Sequence, residues 1–290
     1  MAIIEIQNLK KYYGKHMGTE DVSFSVDKGE FFGFVGPNGA GKSTTIKFLL
    51  GFIFADAGSA TICGRDVVTD TKAIKNFTAY VPSDVRFYEN MKVAELLKRN
   101  GRFYQCASHD DEAKRLCTLF DLDVSKQFRE LSTGNKKKVS LVCAMASKPD
   151  VLILDEPTNG LDPIMQKKLF IELQRQTQKG ATVLLSSHNL TEVQEYCSKV
   201  AFIKNGKILT VKDLKKIQLQ KIITVYGGDH NTIHNADIIQ QGNNKCVFRH
   251  NNDSASMITL LKKIKPLDFV VENESMEDYF MTMYGEETIK

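Results

Sequence analysis

The segment Gly36-Pro37-Asn38-Gly39-Ala40-Gly41-Lys42-Ser43 constrains this chain more than any other. It follows Phe31-Phe32-Gly33-Phe34-Val35, a nearly continuous apolar run of the kind that forms a strand buried on both faces. It leads into Lys42 to Leu50, whose pattern predicts a helix. Strand, glycine-rich loop and helix in that order turn a motif match into a structural statement. Glycines let backbone amides close around phosphate oxygens with no Cβ in the way. The helix start adds the positive end of its dipole. Lys42 is placed to reach the β- and γ-phosphates of a nucleotide, each charged hydrogen bond contributing about 1.5–3 kcal/mol. Ser43 offers a hydroxyl to Mg²⁺, and Thr44 is expected beside the α- and β-phosphates.

The chain has 290 residues, which predicts one large domain plus a small one. With 42% hydrophobic and 26% charged residues it falls in the ordinary globular class. The longest apolar runs, Leu141 to Ala146 and Val151 to Leu154, fall far short of the roughly 18 residues that a membrane span needs. Met1-Ala2-Ile3-Ile4-Glu5 lacks the basic and apolar regions of a signal peptide. The expected location is therefore the cytosol, or the inner face of the cell membrane where a partner holds it there. Cys63, Cys106, Cys117, Cys143, Cys197 and Cys246 form no CxxC pair, so reduced, isolated thiols are expected. A net charge of +4 gives no case for nucleic acid as a partner.

Alternating stretches at Ile3 to Leu9 and Val22 to Val26 read as half-buried strands. Further strands are expected at Ser59 to Cys63, Thr78 to Val81, Val151 to Asp155, Thr182 to Ser186 and Val200 to Lys204. Between Met91 and Ser147 apolar residues recur at spacings of three and four, which predicts a helical insertion over about residues 91–147. Lys207 to Leu219 reads as a last strand and helix. From Lys221 the texture changes. Ile222 to Tyr226, Ala236 to Ile239, Cys246 to Arg249 and Asp268 to Val271 read as strands, with helices at Ser254 to Ile264 and Ser275 to Tyr284. The expected division is a domain over residues 1–220 and a small α+β domain over 221–290.

Val151-Leu152-Ile153-Leu154-Asp155-Glu156 is an apolar strand ending in two carboxylates. Asp155 is suited to hold Mg²⁺ through coordinated water. Glu156 lies one residue on and is suited to polarise an attacking water, a role worth about 10²–10⁴-fold. A phosphate loop alone also suits a GTPase or a small-molecule kinase. Ser147-Lys148-Pro149-Asp150 echoes a guanine-reading Asn/Thr-Lys-x-Asp pattern, but its first residue differs and it precedes a strand where that pattern follows one. Ser132 is expected to cap a helix from about Asn135 to Ala146. Lys136-Lys137-Lys138 reads as a solvated basic face.

Taken in order, Gly36 to Ser43, Leu131-Ser132-Thr133-Gly134, Leu152 to Pro157 and Ser186-Ser187-His188 resemble the ATP-binding subunit of an ABC transporter, over about residues 1–215. The resemblance implies an α/β fold: a P-loop NTPase core with an antiparallel β subdomain and a helical insertion, beside the small C-terminal α+β domain. It implies ATP and Mg²⁺ as ligands. It implies that Ser132 and Gly134 meet the γ-phosphate bound to a second cassette, in a homodimer or heterodimer, with Asp162 at the same interface. Ser132 and Gly134 match the family's usual Leu-Ser-Gly-Gly-Gln, while Thr133 and Asn135 depart from it. His188 takes the place of the family's switch histidine, and Tyr13 resembles the aromatic that stacks on adenine, with adjacent Tyr12 as the alternative. Tyr80-Val81-Pro82-Ser83-Asp84 departs from the family, which usually has glutamine after that proline. Either Ser83 acts on Mg²⁺ through a water, or Asp84 substitutes.

The function implied is ATP hydrolysis powering transport, as in ABC-2 exporters of peptides, drugs or lipids, through a separate integral membrane subunit. The expected docking surface lies around Asp84 to Met91, with Phe87 and Tyr88 as candidate contacts. The alternative is a soluble ABC-type ATPase acting on nucleic acid or ribosomes. A module that holds ATP without turnover is a third reading, against which Lys42, Glu156 and His188 count.

Overall fold

The computed structural model describes residues 1–104, 108–217, 220–229, 233, 237–242, 244–250, 253–275 and 278–279. The chain forms two compact units, Met1–Lys215 and Lys216–Lys290.

The first unit opens with a hairpin, β1 (Ala2–Tyr13) and β2 (His16–Asp27). The pairing reaches Tyr13 opposite His16, longer than the alternation of apolar residues suggests. Then come β3 (Phe31–Val35), α1 (Lys42–Leu49), β4 (Ala57–Ile62), β5 (Arg65–Asp66), α2 (Thr71–Ile74) and β6 (Thr78–Val81). The expected helical insertion is α3 (Val93–Tyr104), α4 (His109–Leu119), a 3-10 turn at Phe128–Glu130 and α5 (Thr133–Ala146). The unit continues with β7 (Val151–Asp155), α6 (Pro163–Gln178), β8 (Thr182–Ser187), α7 (Leu190–Tyr196), β9 (Lys199–Lys204) and β10 (Lys207–Asp213). In place of the start of the helix expected at the end of Lys207 to Leu219, β10 gives way to a 3-10 turn, Leu214–Lys216, none of whose residues is buried; Gln218 and Leu219 lie outside the described residues.

One sheet joins these strands in the order β5-β4-β1-β2-β10-β9-β3-β8-β7-β6. Its β1, β2, β4 and β5 pair antiparallel, whereas β9, β3, β8, β7 and β6 run parallel. β3 and β7 are buried along their whole length, as their continuous apolar runs require. Phe24 stacks on Phe32 at 5.4 Å between ring centres, which closes the core beneath the hairpin. This is the α/β architecture expected from the sequence.

The second unit contains β11 (Lys221–Tyr226), β12 (Asp237–Gln241), β13 (Lys245–His250), α8 (Ser254–Ile264) and β14 (Asp268–Asn273). Its antiparallel sheet has the order β12-β13-β11-β14. Ile223, Val225, Cys246, Phe248 and Ile264 form its core. Most of the helix expected over Ser275 to Tyr284, together with Ala236 and Cys106, lies outside the described residues.

Candidate active site

The register of the parallel strands sets the site. Val35 pairs with Ser187 and Asp155 with Ser186, so the segments leaving β3, β7 and β8 emerge at one edge. Loops at the carboxyl ends of parallel strands are where α/β sheets bind ligands.

Gly36 to Gly41 leave β3 as a tight loop whose apex, Pro37, Asn38 and Gly39, is exposed, with Ala40 buried behind it. Gly41 has φ of 110°, and a Cβ there would stand 2.6 Å from the Gly18 carbonyl oxygen. Only glycine fits that conformation and that approach. Lys42, only 6% exposed, donates from Nζ to the carbonyl oxygens of Gly36 at 2.6 Å and Pro37 at 3.3 Å. Ser43 is exposed and Thr44 half-buried on the first turn of α1.

Asp155 ends β7 and Glu156 follows it, both buried. Ser43 Oγ donates to Asp155 Oδ2 at 3.0 Å. Glu156 Oε1 stands 3.4 Å from Lys42 Nζ, and Glu156 Oε2 lies 2.7 Å from His188 Nδ1. That contact puts the imidazole proton on Nδ1, donating to the carboxylate. Glu156 has φ of 49°, a left-handed conformation that costs about 1–3 kcal/mol in a residue with a Cβ and recurs at functional sites. Its amide donates to the Ser186 carbonyl at 3.0 Å, which fixes the turn to β8. The structure thus brings Lys42, Ser43, Asp155, Glu156 and His188 together.

Asp155 Oδ1 is buried with no protein donor. An unsatisfied carboxylate oxygen beside an exposed hydroxyl fits Mg²⁺, which takes one or two protein oxygens and fills its other positions with water and phosphate. Among the described residues no group of three or more His, Cys, Asp or Glu is arranged to hold a metal, consistent with such a sparse donor set.

Tyr12 and Tyr13 separate. Tyr12 is tied into the hairpin: its hydroxyl donates to Glu20 and its amide donates to Asp56 Oδ2 at 2.6 Å. Tyr13 is 45% exposed. Its ring and Thr44 flank Gly18, where an added Cβ would lie 2.8 Å from the ring and 3.1 Å from the Thr44 methyl. Tyr13 therefore stands beside the phosphate loop, partly exposed, with the Lys11 ammonium 5.8 Å from its ring centre.

Ser132 caps α5, its Oγ accepting from the Asn135 amide at 3.3 Å, and the helix begins at Thr133. Gly134 packs so closely on the next loop that a Cβ would lie 2.5 Å from the Gly160 carbonyl oxygen. Asp162 caps α6 by accepting from the Met165 amide at 3.0 Å, with Pro163 at the first helical position. Ser132, Gly134 and Asp162 thus form a second group. Among the described residues, no hydrogen bond or ion pair joins it to Lys42, Ser43, Asp155 or His188 within the chain.

One expectation is corrected. Lys137 is not on a solvated face: it is 2% exposed, and its Nζ donates to the carbonyls of Pro82 and Ser83 at 2.8 Å each and of Glu156 at 3.4 Å. Lys136 and Lys138 are half-buried, Lys136 lying 5.1 Å over the Phe128 ring. The segment after β6 divides between packed and exposed side chains. Phe87 packs edge-on against Phe128 at 5.3 Å, whereas Tyr88 is 73% exposed. Ser83 is exposed and enters the hydrogen-bond network through its backbone carbonyl. The Asp84 carboxylate accepts from Arg86 at 2.8 Å. Ser147 to Asp150 precede β7, with Lys148 at φ of 48° ending α5.

The family described as ABC transporter matches residues 19–159. The uncharacterized ABC transporter ATP-binding protein YhcH of Bacillus subtilis (strain 168) is 30% identical over 297 residues, covering 98% of this chain and 97% of that protein. The probable multidrug ABC transporter ATP-binding protein YbhF of Escherichia coli (strain K12) is 32% identical over 221 residues, 74% of this chain. That match spans only 38% of the length of YbhF. A solved ATP-binding subunit of an ABC transporter superposes with a TM-score of 0.71 at 33% identity, covering 74% of this chain and 92% of the other. The dimeric ATP-binding cassette MJ0796 bound to ADP and Pi gives 0.67 at 18% identity, covering 74% and 100%, a likeness of fold alone.

Behind His188, Glu192 accepts at Oε2 from Ser187 Oγ at 3.3 Å and from Thr158 Oγ1 at 3.4 Å. Burial pushes its carboxyl above the ordinary 4.5, with the two hydroxyls and His188 opposing and Glu156 adding to the rise. A raised folded value means that the native state binds the proton more tightly than the unfolded chain. The stabilisation is complete below pH 4.5 and is lost as pH rises through the folded value. Glu192→Gln keeps an acceptor for both hydroxyls and removes the charge. Its thermal midpoint relative to the parent should climb between pH 4 and pH 7; a constant difference across that range would contradict the assignment.

Proposed function

The chain belongs to the ABC transporter ATP-binding family, and from that premise we propose that it is the ATP-hydrolysing subunit of an exporter. The family hydrolyses ATP, and the observation that carries the proposal for this chain is Glu156. Its carboxylate is held between Lys42 and His188 at the mouth of the phosphate loop.

Tyr13 stacks on adenine, and Gly36 to Gly41 surround the phosphates with backbone amides. Lys42 exchanges its carbonyl partners Gly36 and Pro37 for oxygens of the β- and γ-phosphates. Ser43 and Asp155 would hold Mg²⁺, with the unsatisfied Asp155 Oδ1 available to its water shell. When bound, that ion neutralises charge on the phosphate oxygens. Glu156 orients the attacking water and takes up its proton, and His188 fixes the carboxylate and senses the γ-phosphate. Among the described residues Ser132 makes no hydrogen bond to its own chain's phosphate loop, which supports Ser132 and Gly134 meeting the nucleotide of a second cassette, with Asp162 at the same junction. Two copies then close around ATP and separate after hydrolysis.

Transport requires an integral membrane subunit. Among the described residues no helix is long and apolar enough to cross a membrane. We assign that role to a separate polypeptide docking near exposed Tyr88, with this chain peripheral at the cytoplasmic face. The name of YbhF, a probable multidrug transporter protein, supports export as the direction. The role of Ser83 in metal binding is correspondingly reduced to what its exposed hydroxyl can do through water.

Two measurements test the reading. Glu156→Gln should bind ATP with the parent's affinity while turnover falls by about 10²–10⁴-fold; undiminished turnover would refute the assignment. Tyr13→Ala should weaken ATP binding by about 1–3 kcal/mol, whereas Tyr12→Phe should leave affinity unchanged. Equal effects at the two positions would remove Tyr13 from the site.

A further inference from the structure

Lys137 is a buried side chain that, among the described residues, forms no ion pair with a carboxylate. Its side chain leaves α5 and ends among three backbone carbonyls: Pro82 and Ser83 at 2.8 Å each, and Glu156 at 3.4 Å. An ammonium has three donors and no acceptor, so these three oxygens use its whole hydrogen-bonding capacity. Burial pushes its pKa below 10.5, and the charges of Asp155, Asp84 and Glu156 oppose that shift without cancelling it. Simple packing at this position would be served better by an apolar side chain, since burying a charge is costly. The contacts supply something that packing does not.

The three carbonyls lie on two segments that border the site. Pro82 and Ser83 follow β6, and Glu156, with φ of 49°, is the strained residue that follows β7. The lysine itself belongs to the helix that Ser132 caps, five residues from that cap. One side chain therefore connects the start of α5, the Ser83 segment and the backbone of the carboxylate assigned to orient water. We infer that Lys137 is a positioning residue, which holds the Glu156 backbone in its left-handed turn and makes the orientation of that carboxylate depend on where α5 and the Ser83 segment sit. This rests on the hydrolytic reading given above. It also gives Ser83 a part that its short side chain cannot play, since the residue enters the network through its carbonyl.

The test uses the full chain and compares Lys137→Met, which keeps the length and loses every donor, with Lys137→Arg, which keeps charge and donors. For K137M the expected result is a kcat lowered by about 10–10²-fold with the KM and affinity for ATP held within about twofold. K137R is expected to recover a substantial part of the lost kcat. The same split is expected for Lys137→Gln, a neutral donor that makes the comparison independent of how well the methionine variant folds. The inference is overturned if K137M or K137Q turns over ATP at the parent's rate. It is equally overturned if kcat and ATP affinity fall together with no rescue by arginine, the pattern of a purely structural lysine. A parent chain without ATPase activity overturns the hydrolytic reading and this inference with it, and is told apart by the parent's own rate.

Discussion

The site depends on the alignment of three parallel strand ends. β3, β8 and β7 are hydrogen-bonded side by side, and the pairs Val35–Ser187 and Asp155–Ser186 put their last residues level. From that edge each strand releases a different chemical group: a glycine loop with Lys42, a carboxylate pair, and a histidine. A one-residue slip of any strand would turn its terminal side chain to the opposite face. Full burial of β3 and β7 is what prevents the slip, because both faces of each strand are already packed.

Polar groups concentrated at this edge are satisfied by one another in a particular way. Lys42 is held by two carbonyls of its own loop and stands near one oxygen of Glu156, while His188 donates to the other. Lys137 supports the same residue from its backbone side. Glu156 is strained, and its amide, its carbonyl and Oε2 are hydrogen-bonded to fixed neighbours, while Oε1 has only the Lys42 ammonium at 3.4 Å. Glu156 Oε1 and Asp155 Oδ1 are both buried without a hydrogen-bond donor. A strained carboxylate residue next to a buried, unsatisfied carboxylate oxygen fits the phosphate chemistry proposed for this site.

The parts legible in the sequence were those whose signal is local. Phe31 to Val35, Thr78 to Val81 and Val151 to Asp155 are short apolar runs, and they became strands of matching extent. The glycine loop reads from its composition, and Ser132 reads as a cap because its helix follows directly. Where the sequence misled, distance along the chain was the reason. Lys136, Lys137 and Lys138 look alike in a row, and each has buried residues three, four and seven positions ahead, because Val139 to Ala146 are all buried, so helix periodicity does not single out Lys137. Its carbonyl partners, more than fifty residues back and nineteen ahead, left no trace in the local pattern. Helix α6 announced itself through Asp162-Pro163, a capping residue and a first-turn proline, which a reading of Asp162 for interface chemistry alone overlooks. Between Tyr12 and Tyr13 no local rule decides; the Glu20 and Asp56 contacts of Tyr12 do.

Among the described residues no hydrogen bond or ion pair joins Lys42 to Ser132 within one chain, and the account requires two chains to bring them to a single triphosphate. Sedimentation of the Glu156→Gln chain with ATP and Mg²⁺, against the same chain without nucleotide, tests this directly. The account predicts conversion from monomer to a two-copy species as ATP is added. A chain that binds ATP yet stays monomeric at saturating nucleotide and high protein concentration would contradict it.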